Sequence, residues 1–233
     1  MVSEKRLWEL AEAVEPRSAG ALGGGALRLG QEGVAEVLLI RHAQMPESSD
    51  PGEDRPLTAT GREQAGALAA FLAGTPLHAT YSSPTMRTRE TAAAVAKPHG
   101  HAVDIIDDLR DVEFYVPEGK TWEEFTNEDD FKERTQRFQL ERRWDVYAPF
   151  VEQSDGLRSR IRNVVDEVVG RHPGRRIALV SHGPTINAYL ASLTQSSRDM
   201  IVRISLTGVT VILAKDDRRV LHTVNSTAHF GTL

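Results

Sequence analysis

The sequence contains no cysteine, which excludes disulfides, thiol nucleophiles and cysteine-ligated metal and makes a reducing, cytoplasmic setting the expectation. It also lacks any run approaching the ~20 apolar residues that span a bilayer. Met1 to Glu15 is charged rather than basic and then apolar, so neither a membrane span nor a secretory leader is expected. Positive charge is in short supply: 28 lysines and arginines face 33 acidic residues, a net of −5 with histidines neutral. Such a balance offers no general field to nucleic acid or anionic lipid, so an anion site has to be built locally. The 233 residues suffice for one domain with a well-buried core.

What is present starts with two apolar runs that each end in a histidine. Val37-Leu38-Leu39-Ile40 leads into Arg41-His42, and Ile177-Ala178-Leu179-Val180 leads into Ser181-His182-Gly183. Two strands thus deliver two imidazoles to one edge of a sheet. Between them, Ser83-Pro84-Thr85-Met86-Arg87 opens a helix, with Ser83 as N-cap and Pro84 in the first turn, and brings in a second guanidinium.

The remaining elements alternate in type. Thr60-Gly61-Arg62-Glu63 offers a capping box to a helix whose Ala65, Leu68, Ala69 and Leu72 share one face. Short strands are expected at 78–82 and 102–106, and Asp155 caps a helix carrying the apolar stripe Leu157, Ile161, Val164, Val165 and Val168. A strand over 176–181, a helix from Pro184 to about Leu193 and a hairpin turning at Asp216-Asp217 complete the pattern. Strand and helix alternation predicts an α/β protein with a mostly parallel sheet covered on both faces. Residues 1–33, with a short helix over 3–14 and a glycine-rich stretch, read as an appendage and linker, and 34–233 as the catalytic domain. The charged segment of about 115–152 reads as a helical cap inserted on one side of the sheet.

Two imidazoles and two arginines suit a phosphoryl group, whose peripheral oxygens are best matched by planar, permanently charged guanidinium. Arg41 and Arg87 form the clamp. A neutral imidazole attacks phosphorus to give a phosphohistidine, and His42 is the nucleophile, kept unprotonated by repulsion from the arginines. His182 donates to a phosphate oxygen. The leaving alkoxide needs a proton and the second step a base, two roles for one carboxyl group drawn from Asp111 and Glu113.

These residues resemble the histidine phosphatase superfamily, the phosphoglycerate mutase-like enzymes and their acid phosphatase relatives. Leu39-Ile40-Arg41-His42-Ala43-Gln44 is similar to its Arg-His-Gly signature; Leu57-Thr58 with Gly61, Ser83-Pro84 with Arg87, Ser181-His182-Gly183 and Asn225-Ser226-Thr227-Ala228-His229 follow in family order. The resemblance implies a three-layer α/β/α sandwich and a phosphomonoesterase that acts on a small phosphorylated metabolite without metal or other cofactor. It implies phosphate binding by Arg41, Arg87 and His182, and attack by His42. Ala43 departs from the signature glycine, and the methyl group is expected to be tolerated. The family's donor glutamate aligns with Asp111, one methylene shorter, so position favours Asp111 and reach favours Glu113. A phosphomutase and a silent anion-binding protein are the alternative functions, and the stretch Val112 to Pro117 lacks the mutase pattern.

Other features read more plainly. Gly23-Gly24-Gly25 precedes a strand instead of following one, and Gly119-Lys120-Thr121 has Phe114 where a phosphate loop requires glycine. His99 and His101 have no carboxylate at ligand spacing, so a loop is the expectation there. His229 reads as structural, and Arg142-Arg143 as a candidate pair for a second anionic group. No pattern specifies the oligomeric state.

Overall fold

The computed structural model describes residues 33–47 and 53–231. The helix expected over 3–14 and the glycines at 23–25 lie outside the described residues, as does the expected appendage of 1–33 apart from Gly33. The chain runs β1 (Ala35–Arg41), α1 (Ala59–Leu72), β2 (Ala79–Ser82), α2 (Met86–Ala96) and β3 (Val103–Ile105). It continues through α3 (Trp122–Thr126), α4 (Asp129–Glu141), α5 (Ser154–Arg171), β4 (Arg176–Ser181), α6 (Gly183–Thr194), β5 (Val209–Lys215) and β6 (Arg218–Ser226). The six strands form one sheet in the order β3-β2-β4-β1-β5-β6. β1, β2, β3 and β4 pair in parallel, while β5 is antiparallel to both β1 and β6.

Alternation along the strands explains the layers. Ala35, Val37 and Leu39 point to one face, where they meet Ile161, Val165 and Val168 of α5 and Ile186 and Leu190 of α6. Leu38 and Ile40 point to the other, against Leu68 and Leu72 of α1 and Val95 of α2. The central strands are therefore apolar on both sides, which is why they read as continuous runs. This is the three-layer α/β/α arrangement expected above. Among the described residues no helix is long and apolar enough to cross a membrane.

Three helix starts differ from expectation. α1 is capped by Thr58, whose Oγ accepts from Gly61 N at 2.9 Å, while Thr58 N is tied to Gln44 O at 3.0 Å. α2 begins at Met86 with Thr85 as N-cap, because the Ser83 hydroxyl is engaged at the site described below. Asp155 lies inside the first turn of α5, beyond the N-cap Gln153, where its charge still complements the helix dipole.

The entry of α1 leaves no room beside the Gln44 backbone: a Cβ on Gly61 would lie 2.0 Å from Gln44 O. Gly61→Ala is therefore expected to destabilise the protein by about 1–3 kcal/mol, read as a lower urea midpoint at unchanged slope. An unchanged midpoint would show that this corner relaxes freely.

Residues 115–152 fold around aromatic rings. Phe114, Trp122, Phe125, Phe131 and Tyr147 meet mostly edge to face at 4.9–6.1 Å between centroids. Asp199, fully buried, pins the end of this segment to the sandwich by accepting from Trp144 N at 2.8 Å, Ser154 Oγ at 2.5 Å and Arg158 Nε at 2.8 Å. Thr121 is not part of a phosphate loop; its hydroxyl and Glu124 form the capping box of α3.

Candidate active site

β1 and β4 are neighbours, with Arg41 in register with Ser181, so the next residues, His42 and His182, leave the sheet side by side. The ladder extends one residue further through His42 N to Ser181 O at 3.0 Å. The two rings stand 5.3 Å apart between centroids at an interplanar angle of 60°, both buried.

Hydrogen bonds fix the state of each ring. His42 Nδ1 lies 2.8 Å from Ala43 O, and because a carbonyl only accepts, the proton sits on Nδ1 and Nε2 carries a free lone pair. Burial pushes the His42 pKa down to about 3, the Ala43 carbonyl acting against the shift and Arg87 and Arg41 adding to it. The neutrality expected from the arginines is thus present, but desolvation is its leading cause. His182 Nδ1 faces Arg87 Nη2 at 3.2 Å, and Arg87 only donates, so Nδ1 accepts and Nε2–H is left for Ser83 Oγ at 2.9 Å. Burial, then His42 and the arginines, lower the pKa of His182 as well.

Arg41 donates through Nη1 to Ile204 O at 2.6 Å, and its side chain runs past Gly183. Arg87 is almost fully buried, with Nη1 4.0 Å from Asp54 Oδ1 and Nη2 3.9 Å from Asp111 Oδ2. The Nε–H groups of Arg41 and Arg87 are both buried and have no partner among the described residues. Buried unpaired donors are costly, and an anion bearing several acceptor oxygens would satisfy them.

The structure separates the two carboxyl candidates. Asp111 Oδ2 lies 3.5 Å from His182 Nδ1, and Oδ1 accepts from Val112 N at 2.9 Å. Although 29% of the Asp111 side chain is exposed, the protein around it desolvates the carboxyl and pushes its pKa up to about 6, against the Val112 N–H and the nearby arginines. Glu113 is 58% exposed, with its carboxylate 3.8 Å from Arg110 Nε. Its extra reach is spent at the surface.

Several supports were not singled out by sequence. Ser83 orients His182; its place at the end of β2, beside β4, was the available signal. Thr91 Oγ accepts from Ala43 N at 3.0 Å, and the Ala43 methyl packs with Leu57 and Ala65 at an ordinary backbone conformation. Thr207 N donates to Arg41 O at 3.1 Å, and its hydroxyl meets His229 Nε2 at 2.8 Å, so His229 braces the loop behind the site. Arg143 is paired with Asp145 and donates to Ser197 O, which commits it to the fold rather than to a second anion. His99 and His101 stack on one another, with His101 Nε2 2.9 Å from Thr80 Oγ. Among the described residues no group of three or more His, Cys, Asp or Glu side chains is placed to hold a metal ion.

Two neutral imidazoles, two arginines with unspent donors and a raised carboxyl group thus converge at adjacent strand ends. A family model described as histidine phosphatase superfamily (branch 1) matches residues 37–227. The chain belongs to this superfamily. As a histidine phosphatase superfamily member it is 28% identical over 205 residues to the bifunctional protein Rv2228c of Mycobacterium tuberculosis, covering 83% of the chain. It spans only about half of that relative, 54% of its length. It is also 27% identical over 210 residues to phosphoserine phosphatase 1 of Hydrogenobacter thermophilus, covering 85% of the chain and 95% of the relative. Among solved structures, Bacillus stearothermophilus YhfR superposes with a TM-score of 0.72 at 25% identity, over 84% of this chain and 98% of that one.

Proposed function

We propose that the protein is a metal-independent phosphomonoesterase acting on a small phosphorylated metabolite through a phosphohistidine at His42. The observation that carries this reading is the His42 tautomer: a neutral ring with Nδ1–H spent on Ala43 O and Nε2 bare, beside arginines whose Nε–H groups lack partners among the described residues. Arg41 and Arg87 hold the phosphoryl oxygens. His42 Nε2 attacks phosphorus as the bond to the ester oxygen breaks, and the Asp111 carboxylic acid gives its proton to the departing alkoxide. The resulting Asp111 carboxylate then takes a proton from water, whose oxygen attacks the phosphohistidine, releasing phosphate and restoring both groups. In this scheme Arg87 turns from His182 Nδ1 to the anion, the His182 proton moves from Nε2 to Nδ1 as the Ser83 hydroxyl turns to donate to Nε2, and Nδ1–H then donates to a phosphate oxygen.

Residues 115–152 follow directly on the loop carrying Asp111, and we assign them the role of a cap that selects the alcohol part of the substrate. The cysteine-free composition favours a cytoplasmic setting. The names of the phosphoserine phosphatase relatives support hydrolysis, and a probable phosphoglycerate mutase among the relatives keeps isomerisation as the alternative reading.

A phosphate-release screen over a panel of phosphorylated metabolites tests the reading. Turnover is expected to be unaffected by EDTA, since guanidinium and imidazole groups do the charge stabilisation. Phosphate binding without release across acidic to neutral pH would leave an anion-binding protein. Isomerisation of a phosphoglycerate without release of phosphate would make it a mutase.

A further inference from the structure

The single 3₁₀ turn Asp107–Leu109 delivers Asp111, and the three backbone carbonyls before that residue are each caught by a side chain from a different place in the fold. Arg160 Nη1 donates to Asp108 O at 2.6 Å and to Arg110 O at 3.1 Å. Ser181 Oγ donates to Leu109 O at 2.7 Å, and Thr185 Oγ to Arg110 O at 2.9 Å. Arg160 is itself held by a bidentate pair, Nε to Glu152 Oε1 at 3.0 Å and Nη2 to Glu152 Oε2 at 2.6 Å. It is 8% exposed and sits within the apolar stripe of α5, between Leu157 and Ile161. A charged residue in that position is expensive to bury unless its donors are met, and here three of its nitrogens are met by the carboxylate and the two carbonyls.

We infer that Arg160, locked by Glu152, is a positioning residue for the proton donor: it fixes the 108–110 backbone so that the Asp111 carboxyl stands at the alcohol side of the phosphoryl group. Glu152 closes the 115–152 segment and Arg160 belongs to α5, so the pair also ties the location of the donor to the seat of the cap. The phosphate clamp makes no direct contact with this pair: Arg41 is held by Ile204 O and Arg87 by His182 and Asp54, with Asp111 Oδ2 at 3.9 Å from Arg87 as the link to the donor. A displaced Asp111 harms both protonation of the alkoxide and activation of water on the phosphohistidine, and kcat/KM, which extends only to release of the alcohol, isolates the first of these. Misplacement of about 1 Å costs on the order of 10²-fold in a catalytic step.

The inference rests on the hydrolase reading, and the test separates the two. Wild-type protein and Arg160→Met are compared on glycerol 2-phosphate, whose alkoxide needs protonation, and p-nitrophenyl phosphate, whose leaving group does not, with inhibition by inorganic phosphate as a binding control. The expected result for Arg160→Met is a loss in kcat/KM of about 10–100-fold on glycerol 2-phosphate, little change in kcat/KM on p-nitrophenyl phosphate, and unchanged inhibition by phosphate. Arg160→Lys, which keeps the charge but not the fork, is expected to fall between. Equal loss on both esters would make Arg160 a general structural support and overturn the positioning role, as would no loss on either. Wild-type protein inert toward both esters would overturn the hydrolase reading, and the inference with it. Should Arg160→Met not fold, Thr185→Val removes one of the same carbonyl bonds, and the same split at smaller amplitude is expected; its absence overturns the role.

Discussion

His42→Ala protein is expected to release phosphate at least about 10⁴-fold more slowly than wild type, because removal of a nucleophile forfeits the two-step path. Quenching the wild-type enzyme during turnover into alkaline denaturant should trap a phosphoprotein that survives base and is lost on acid treatment, and the variant should yield none. Binding of inorganic phosphate should survive, since Arg41 and Arg87 take their positions from Ile204 O, His182 and Asp54 rather than from the His42 ring. Retention of activity within tenfold of wild type would remove His42 from the reaction and leave the site without a covalent step.

Asp111→Asn is the second large effect, and it carries a pH signature. Asp111 must hold a proton to serve the leaving group, and its pKa stands near about 6, so donation fails as pH rises through that value. His42 must be neutral to attack, and with a pKa of about 3 it is lost only as pH falls through that value. The profile of kcat/KM for an alkyl phosphate is therefore expected to plateau between these limits, with the alkaline limb set by Asp111. The asparagine variant has no proton to give: its kcat/KM on alkyl phosphates should drop by about 10²–10⁴-fold and its kcat/KM on p-nitrophenyl phosphate far less, while the lost base slows phosphohistidine hydrolysis for both. The ionisation of the substrate phosphate is common to both esters, so a limb confined to the alkyl ester reports the protein. Glu113→Gln should leave both rates near wild type, because Glu113 faces Arg110. The opposite ranking of the two variants would transfer the role to Glu113.

The positions that were legible in the sequence are those where secondary structure alone decides the outcome. An apolar strand that ends in a polar pair puts that pair at a sheet edge, and this was enough to bring His42 and His182 together. Arg87 stood out through its place after Ser83-Pro84, the stretch that resembles the family element carrying a second arginine. The choice between Asp111 and Glu113 was not available from spacing, since two residues apart means the same side of an extended chain. The structure decides their environments through local bonds, with the Asp111 carboxylate turned back on Val112 N and that of Glu113 drawn to Arg110. Ser83 was misread because hydroxyl residues favour helix caps, and only the proximity of β4 shows that the hydroxyl serves His182 instead. Arg160 did leave a trace, a cation set into an otherwise apolar helical face, but its meaning depended on which carbonyls lay opposite.

Adjacent strands lie about 4.8 Å apart wherever a sheet forms, and the rings of His42 and His182 are 5.3 Å apart. The separation of the two imidazoles is thus inherited from main-chain pairing, a length that amino-acid replacement elsewhere barely alters. With residues 115–152 as the proposed cap, exchange of that segment would change the molecules accepted while the two imidazoles keep their spacing. Chemistry and selectivity are free to evolve on separate parts of the same chain.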